Sequence, residues 1–354
     1  MKEHTIVITA GGTGGHVFPA LTIALLLESN YNLVWVGGYS GIENDIVPRN
    51  GIKLERIKIS GLRQKGFLKL LMLPFILSRS IYQAYRIIFS YKPSLVVSFG
   101  GYATFPIAFS ARLLGIPLII HEQNSVAGLT NRILSKLANS VLVAYKGVLP
   151  SNHTYLVGNP LRGDILKVDN LHNRYSNHSD GIRVLVLGGS LGAKFFNDEL
   201  PNVFAKTSNI NSIIHQVGRG DVANTQQKYN DLKINNVIVV AFIENMAEVY
   251  NKVDLVVCRS GALTVSEICA VGIAAIFIPY PYAVDNHQLF NAKSLEDVGA
   301  AKIIQQQDFI LEKMVGLINS LDQKICLQMA TKARSMAVID ANDKIITVIK
   351  NSLQ

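Results

Sequence analysis

Short, almost continuous apolar runs recur along this chain, and longer amphipathic stretches separate them. A first series comprises His4–Ala10, Leu33–Val36, Leu95–Ser98, Pro117–His121 and Ser140–Ala144. A second comprises Ile182–Leu187, Ile213–Val217, Val237–Ala241, Leu255–Cys258 and Ala274–Pro279. Runs without polar alternation predict strands buried on both faces, the situation of a parallel sheet covered by helices. Right-handed βαβ crossovers follow as a rule.

The two series begin alike. His4–Ala10 leads into Gly11-Gly12-Thr13-Gly14-Gly15-His16 and a helical pattern from about Phe18 to Ser29. Ile182–Leu187 leads into Gly188-Gly189-Ser190-Leu191-Gly192-Ala193 and a second helical stretch. Each is a strand, a glycine-rich turn and a helix start, so the chain reads as two mononucleotide-fold units in tandem. A linker is expected within Leu156–Asp180, whose polar stretch from Asp169 to Asp180 reads as a solvated loop. The stretch Asn342–Leu353 reads as a terminal helix, and periodicity alone does not say which half it joins.

Composition supports a folded, two-domain chain. At 354 residues it is long for one core, and with 49% hydrophobic and 17% charged residues wholesale disorder is excluded. Cys258, Cys269 and Cys326 are odd in number and widely spaced, so buried thiols are expected rather than a disulfide framework or cysteine zinc site. The N-terminal stretch reads as a strand, not a signal peptide. The most apolar stretch, Phe67–Leu77, holds Lys69 and Pro74 and is too short to span a bilayer. The net charge of +9 is confined to residues 1–160, which hold 15 Lys+Arg against 6 Asp+Glu, while the remainder balances 19 against 19. One half therefore suits an anionic partner: a membrane surface, a phosphorylated lipid or a nucleic acid.

A glycine turn at a helix start holds phosphate, because free backbone N–H groups and the helix dipole both face the anion. A dinucleotide oxidoreductase would also need an acid at the end of the following strand, for the ribose. Those strands end in Val36-Gly37-Gly38 and Val217-Gly218, which argues against NAD or FAD. Neither loop carries the Gly-Lys-Ser/Thr of a Walker ATPase. Two Rossmann-like domains facing a cleft, without the dinucleotide fingerprint, suggest by fold analogy a nucleotide-sugar enzyme.

Seven strings carry a more specific resemblance: GGTGGHVFPA (11–20), SFGGYATFP (98–106), HEQN (121–124), GNPLR (158–162), GGSLGA (188–193), SGALTVSEI (260–268) and DNHQLFNA (285–292). In this order and spacing the chain resembles the MurG family of inverting N-acetylglucosaminyltransferases, across nearly its whole length. The resemblance implies an α/β chain of the GT-B fold, two doubly wound parallel-sheet domains facing a cleft. Residues 1–160, with the helix 342–354, would be the acceptor- and membrane-binding domain, and 161–341 the donor-binding domain. It implies UDP-N-acetylglucosamine as donor and an undecaprenyl-linked muramyl-pentapeptide as acceptor. Its donor-contacting positions map onto Thr13, Gly14, Gly15, Asn124, Arg162, Ser190, Ile243, the segment Ala262, Leu263, Thr264, Val265, Ser266 and Glu267, and Gln288. The residue types fit. Arg162 and Ser190 suit phosphate, Glu267 the two ribose hydroxyls, Gln288 and Asn124 sugar hydroxyls and the N-acetyl group, and Ile243 offers only its backbone, to uracil.

Inversion from an α donor to a β product implies one in-line displacement, which needs a base for the acceptor hydroxyl and stabilisation of the departing UDP. His16 is the expected base, at a helix start where the dipole disfavours imidazolium, with Glu122 in reserve. With no D-x-D triplet and no His/Cys ligand cluster, neither a metal nor another cofactor is expected. From Lys53 to Lys92, nine basic residues and one acid interleave with Phe67, Leu68, Leu70, Leu71, Met72, Leu73, Phe75, Ile76, Leu77, Ile81 and Tyr85. That pattern predicts docking on anionic lipid, hence a peripheral place on the cytoplasmic face of the inner membrane. No nucleic-acid motif accompanies the charge, so nucleic acid is not an expected partner. A UDP-N-acetylglucosamine 2-epimerase, a glycolipid synthase or a non-catalytic sugar-nucleotide binder remain as alternatives.

Overall fold

The computed structural model describes residues 4–59, 72–168, 171–176, 181–189 and 192–354. The chain divides into two compact units, Met1–Leu161 with Ile339–Gln354, and Arg162–Val338. In the first unit β1 (Thr5–Thr9), β2 (Asn32–Gly38), β3 (Lys53–Ile57), β4 (Leu95–Ser98), β5 (Leu118–Glu122), β6 (Ser140–Val143) and β7 (Thr154–Leu156) form one sheet in the order β3-β2-β1-β4-β5-β6-β7. Every neighbouring pair is parallel, with Ile6 in register with both Leu33 and Leu95. Successive side chains leave a strand on opposite faces, so this sheet has two cores. Ile6, Ile8 and Trp35 pack with the helix Gly14–Leu27 on one face. Val7, Val34 and Val96 pack with Ala84, Ile88, Ile107 and Ala108 on the other.

The second unit repeats the plan. Its strands β8 (Ile182–Leu187), β9 (Ile210–Gln216), β10 (Val237–Val240), β11 (Leu255–Cys258), β12 (Ala274–Phe277) and β13 (Ala301–Ile303) run parallel in the order β10-β9-β8-β11-β12-β13. In each sheet the strand order reverses beside the first strand, between β1 and β4 and between β8 and β11. In open sheets of this kind the loops leaving the carboxyl ends of those two strands diverge, and that is the usual ligand position. Both glycine loops lie at these points.

The fold is the expected α/β one, two parallel-sheet domains. Three strands that the apolar runs did not predict, β3, β7 and β13, are all sheet edges. An edge strand is wet on one side and needs no apolar run: β3 reads Lys-Leu-Glu-Arg-Ile. The first helix begins at Gly14 rather than near Phe18, so His16 sits in its first turn. The stretch read as a solvated loop is only partly so. Residues 169–170 and 177–180 lie outside the described residues, but Leu171–Ser176 is helical. Its Arg174 is buried, donating to the carbonyls of Tyr250, Val271 and Gly272. The terminal helix, Ala341–Asn351, buries Ile345 and Ile349 in the first unit's core. Asn342 there exchanges hydrogen bonds with the backbone N–H (3.0 Å) and carbonyl (2.7 Å) of Leu161. All three cysteines are free and buried.

Candidate active site

In the first unit three loops meet at the switch point: Gly11–His16 after β1, Phe99–Ala103 after β4 and Gln123–Gly128 after β5. The first two touch directly. A Cβ placed on Gly101 (φ +97°) would stand 2.3 Å from the carbonyl oxygen of Gly11, so only glycine fits there. Thr13 caps the helix Gly14–Leu27, and its carbonyl accepts from the N–H groups of His16 and Val17, both at 3.1 Å. Thr13, Gly14 and Gly15 thus present the first amides of a helix, which have no intrahelical acceptor.

His16 is half-buried, and its Nδ1 lies 3.0 Å from the Phe99 carbonyl oxygen and 3.2 Å from Gln123 Oε1. A carbonyl can only accept, so Nδ1 carries the proton and donates. In the neutral ring Nε2 is then left with its lone pair. Gln123 is fully buried, and its Nε2 donates to the same Phe99 carbonyl at 2.8 Å, which orients its amide oxygen towards His16. The motif His121-Glu122-Gln123-Asn124 contains this residue, but the sequence offered no sign that it, rather than its neighbours, braces the histidine.

Glu122, the reserve base, is 1% exposed. Its Oε1 accepts from the Asn124 backbone (3.0 Å) and side chain (3.2 Å), and its Oε2 from the Gly128 backbone (3.1 Å) and Asn131 (2.9 Å). Four donors on one buried carboxylate make it the knot that shapes the β5 loop and holds Asn124 in it. His121 is also buried, with Nε2 2.9 Å from the Gly158 carbonyl oxygen, and burial pushes its pKa down to about 4. It faces the interior rather than a ligand.

In the second unit Arg162 and Glu267 come together from sequence positions far apart. Arg162 Nη2 donates to Glu267 Oε1 at 3.3 Å, and the hydroxyl of buried Tyr250 donates to Oε2 at 3.1 Å. Glu267 lies on the helix Ala262–Val271 with its side chain 17% exposed, so it is a held carboxylate and not a solvated helix acid. Burial raises its pKa, with Arg162 and Tyr250 opposing the shift. Along the same helix Ala262 and Val265 turn into the core, whereas Leu263, Thr264 and Ser266 are half-buried. Only the backbone of the first pair is left for a ligand. Ser190 lies outside the described residues.

Ile243 follows the carboxyl end of β10, and Gln288 stands in the first turn of the helix that follows β12. Ile243 is 8% exposed, and within the described residues no hydrogen bond engages its backbone, which suits a base-reading position. Gln288 Oε1 accepts from the Tyr280 N–H at 2.9 Å, leaving Nε2 to donate elsewhere. Two consecutive non-glycine residues before it, Asp285 (φ +50°) and Asn286 (φ +52°), are left-handed, a strained turn that delivers the helix His287–Asp297 at this angle. Arg259, absent from the expected set, clamps this region. It donates to the carbonyls of Ile278 (2.8 Å) and Pro279 (3.0 Å) and to Gln306 Oε1 (2.7 Å), and stacks 4.6 Å from the Phe196 ring.

Two parallel-sheet units, each with a glycine loop after its first strand where the strand order reverses, define the α/β class of fold, and the comparisons give the family. Residues 6–143 match the glycosyltransferase family 28 N-terminal domain, and residues 183–345 the glycosyltransferase family 28 C-terminal domain. A Haemophilus influenzae protein named UDP-N-acetylglucosamine–N-acetylmuramyl-(pentapeptide) pyrophosphoryl-undecaprenol N-acetylglucosamine transferase is 45% identical, over 99% of both chains. An Aliivibrio fischeri protein of the same name is 42% identical, over 99% of this chain and 98% of its own. The crystal structure of Acinetobacter baumannii MurG superposes with a TM-score of 0.88 at 37% identity, covering 98% of this chain and 99% of that one. The chain belongs to glycosyltransferase family 28 and, within it, to the MurG family of N-acetylglucosamine transferases.

Proposed function

We propose that this chain transfers N-acetylglucosamine from UDP-N-acetylglucosamine to a muramyl-pentapeptide carried on undecaprenyl pyrophosphate, with inversion at the anomeric carbon. The observation that carries the reading is the identity of 42–45% across 99% of the chain with transferases of that name. On this reading the second unit takes the donor. Glu267 accepts from the ribose hydroxyls, Arg162 and Ser190 meet phosphate, and the backbone of Ile243 pairs with uracil. Gln288 donates to the sugar, as does Asn124 from the first unit. The first amides of the helix Ala262–Val271 receive the charge that grows on the leaving diphosphate. Thr13, Gly14 and Gly15 offer amides to the donor as well.

His16 Nε2 takes the proton of the acceptor hydroxyl. The freed oxygen attacks the anomeric carbon, and the bond from that carbon to the diphosphate breaks, with UDP leaving on its electron pair. The Nδ1–H, held by Phe99 and Gln123, keeps the base lone pair on Nε2 throughout. No metal or cofactor enters this scheme.

The membrane side rests on the helix Leu73–Tyr91. Phe75 (78% exposed), Arg79, Tyr82, Tyr85 and Phe89, spaced three or four residues apart, are exposed on this helix with Arg86 beside them. Aromatic rings interleaved with arginines form an apolar stripe with a basic rim, suited to the interface of an anionic leaflet. Among the described residues no helix is long and apolar enough to cross a bilayer. The remaining residues of the basic patch, Arg63, Lys65, Phe67, Leu68, Lys69, Leu70 and Leu71, lie outside the described residues. The place that follows is the cytoplasmic face of the inner membrane.

The deciding experiment supplies radiolabelled UDP-N-acetylglucosamine with and without the lipid-linked muramyl-pentapeptide. Label should enter the lipid fraction, and UDP should appear, only when the acceptor is present. Release of UDP without acceptor, or the absence of labelled lipid, refutes the reading.

A further inference from the structure

Tyr250 reaches Glu267 from the interior of the second unit. It closes the short helix Met246–Tyr250, is fully buried, and its hydroxyl donates to Glu267 Oε2 at 3.1 Å. Burial and the neighbouring carboxylate hold the phenol well above its usual pKa, so it keeps its proton and acts as the donor. The other oxygen, Oε1, takes Arg162 from the more exposed side. A carboxylate offers about four lone-pair positions. Among the described residues these are the two side-chain donors that meet it. Room is left for a pair of neighbouring hydroxyl groups.

The helices that carry the two residues are tied at their ends. Arg174, 3% exposed, donates to the carbonyls of Tyr250 (3.2 Å) and Val271 (2.8 Å), the last residues of the helices Met246–Tyr250 and Ala262–Val271. A helix end presents unpaired carbonyls and the negative end of its dipole, so one guanidinium satisfies both ends and fixes their spacing. Ile243 stands on the same connection as Tyr250, between β10 and β11.

We propose that Tyr250 is a positioning residue that sets the ribose specificity of the donor site. Its hydroxyl fixes one oxygen of Glu267 from behind, so the carboxylate presents its remaining lone pairs to the 2′- and 3′-hydroxyls of a ribonucleotide together. A 2′-deoxynucleotide leaves one of those lone pairs without a donor on a largely buried carboxylate, and is rejected for that reason. Tyr250 itself touches no ligand. Arg174 acts one step further back, by holding the two helix ends together.

This inference rests on the proposed contact of Glu267 with the donor ribose, and the experiment separates the two. Calorimetric titration compares UDP with 2′-deoxy-UDP on wild type, Tyr250→Phe, Arg174→Lys, Glu267→Ala and the double variant of Tyr250 and Glu267, with thermal unfolding as the control for folding. Wild type should prefer UDP by about tenfold or more. Tyr250→Phe fills the same space without the hydroxyl. It should bind UDP about 5- to 30-fold more weakly and 2′-deoxy-UDP within about threefold of wild type, so that most of the preference is lost. Its donor KM should rise while kcat at saturating donor stays within about threefold. Arg174→Lys keeps the cation but loses the fork that spans both carbonyls, and should lower the preference in the same direction. Adding Tyr250→Phe to Glu267→Ala should cost no more than about twofold in UDP affinity, because the hydroxyl acts through the carboxylate. A wild type without preference for UDP removes the ribose contact of Glu267, and this inference with it. A preference that survives unchanged in Tyr250→Phe, or in Arg174→Lys should the first variant not fold, overturns this inference alone. Equal weakening of both nucleotides in Tyr250→Phe overturns it too, because the hydroxyl would then serve stability only, as does a further large loss in the double variant.

Discussion

At His16 the chemistry turns on which ring nitrogen carries the proton. The sequence placed a histidine at a helix start behind a glycine loop, which is enough to nominate a base. It could not say that the Phe99 carbonyl and the Gln123 amide oxygen would both lie against Nδ1, because those groups come from two other strand ends. That contact decides the tautomer and directs the basic lone pair outward. On the proposed reading, His16→Ala should therefore lower turnover by about 10²–10⁴-fold, while UDP affinity, which that reading assigns to the second unit, stays near wild type in a calorimetric titration. Turnover that survives the substitution removes His16 from the mechanism. Glu122 carries the complementary lesson. By type and position it was a plausible base, yet four hydrogen bonds on a buried carboxylate commit it to its loop.

Among the elements, the strands that the apolar runs predicted are mostly central ones, and the three they missed are edges. Central strands of a parallel sheet are buried on both faces and so must be apolar. β3 and β13 answer to water on one side and carry Lys53, Glu55 and Lys302 without penalty. The helix Leu73–Tyr91 is the opposite case, where sequence showed abundant apolar and basic residues but not their sides. The structure sends Ala84 and Ile88 inward and leaves Phe75, Tyr82 and Phe89 exposed. Replacing those three aromatics with serine should weaken sedimentation with vesicles rich in anionic lipid by about tenfold or more, without changing UDP affinity. Equal binding by the variant and wild type would show that this face is not the membrane contact.

For the whole molecule, each unit buries one histidine in its core, and the two together set a limit in acid. Burial lowers His121 to about 4 and His215 to about 3, below the usual value of about 6.5. The unfolded chain then binds protons that the folded chain refuses. Stability is complete above the unfolded value and is lost as pH falls from about 6.5 towards 4, roughly 2 kcal/mol for each histidine at about pH 5. Thermal unfolding of wild type between about pH 7.5 and about pH 5 should show this fall, and His215→Asn should recover about half of it. A midpoint that does not change over that range contradicts the buried, neutral state of these rings.

The sequence by itself determined the two-unit parallel-sheet plan, the places of both glycine loops and the family, because backbone burial and tight turns leave marks on neighbouring residues. Only the tertiary structure decided what holds each functional group. Gln123 against His16, Tyr250 beside Glu267, and Glu43 under the first glycine loop are contacts between residues 17 or more positions apart, except for the short reach from Glu43 to Gly38. Such contacts leave no local periodicity. They arise because parallel strands bring the ends of separate βα units to one edge, where an acid that reads as solvated from its neighbours becomes a buried anion.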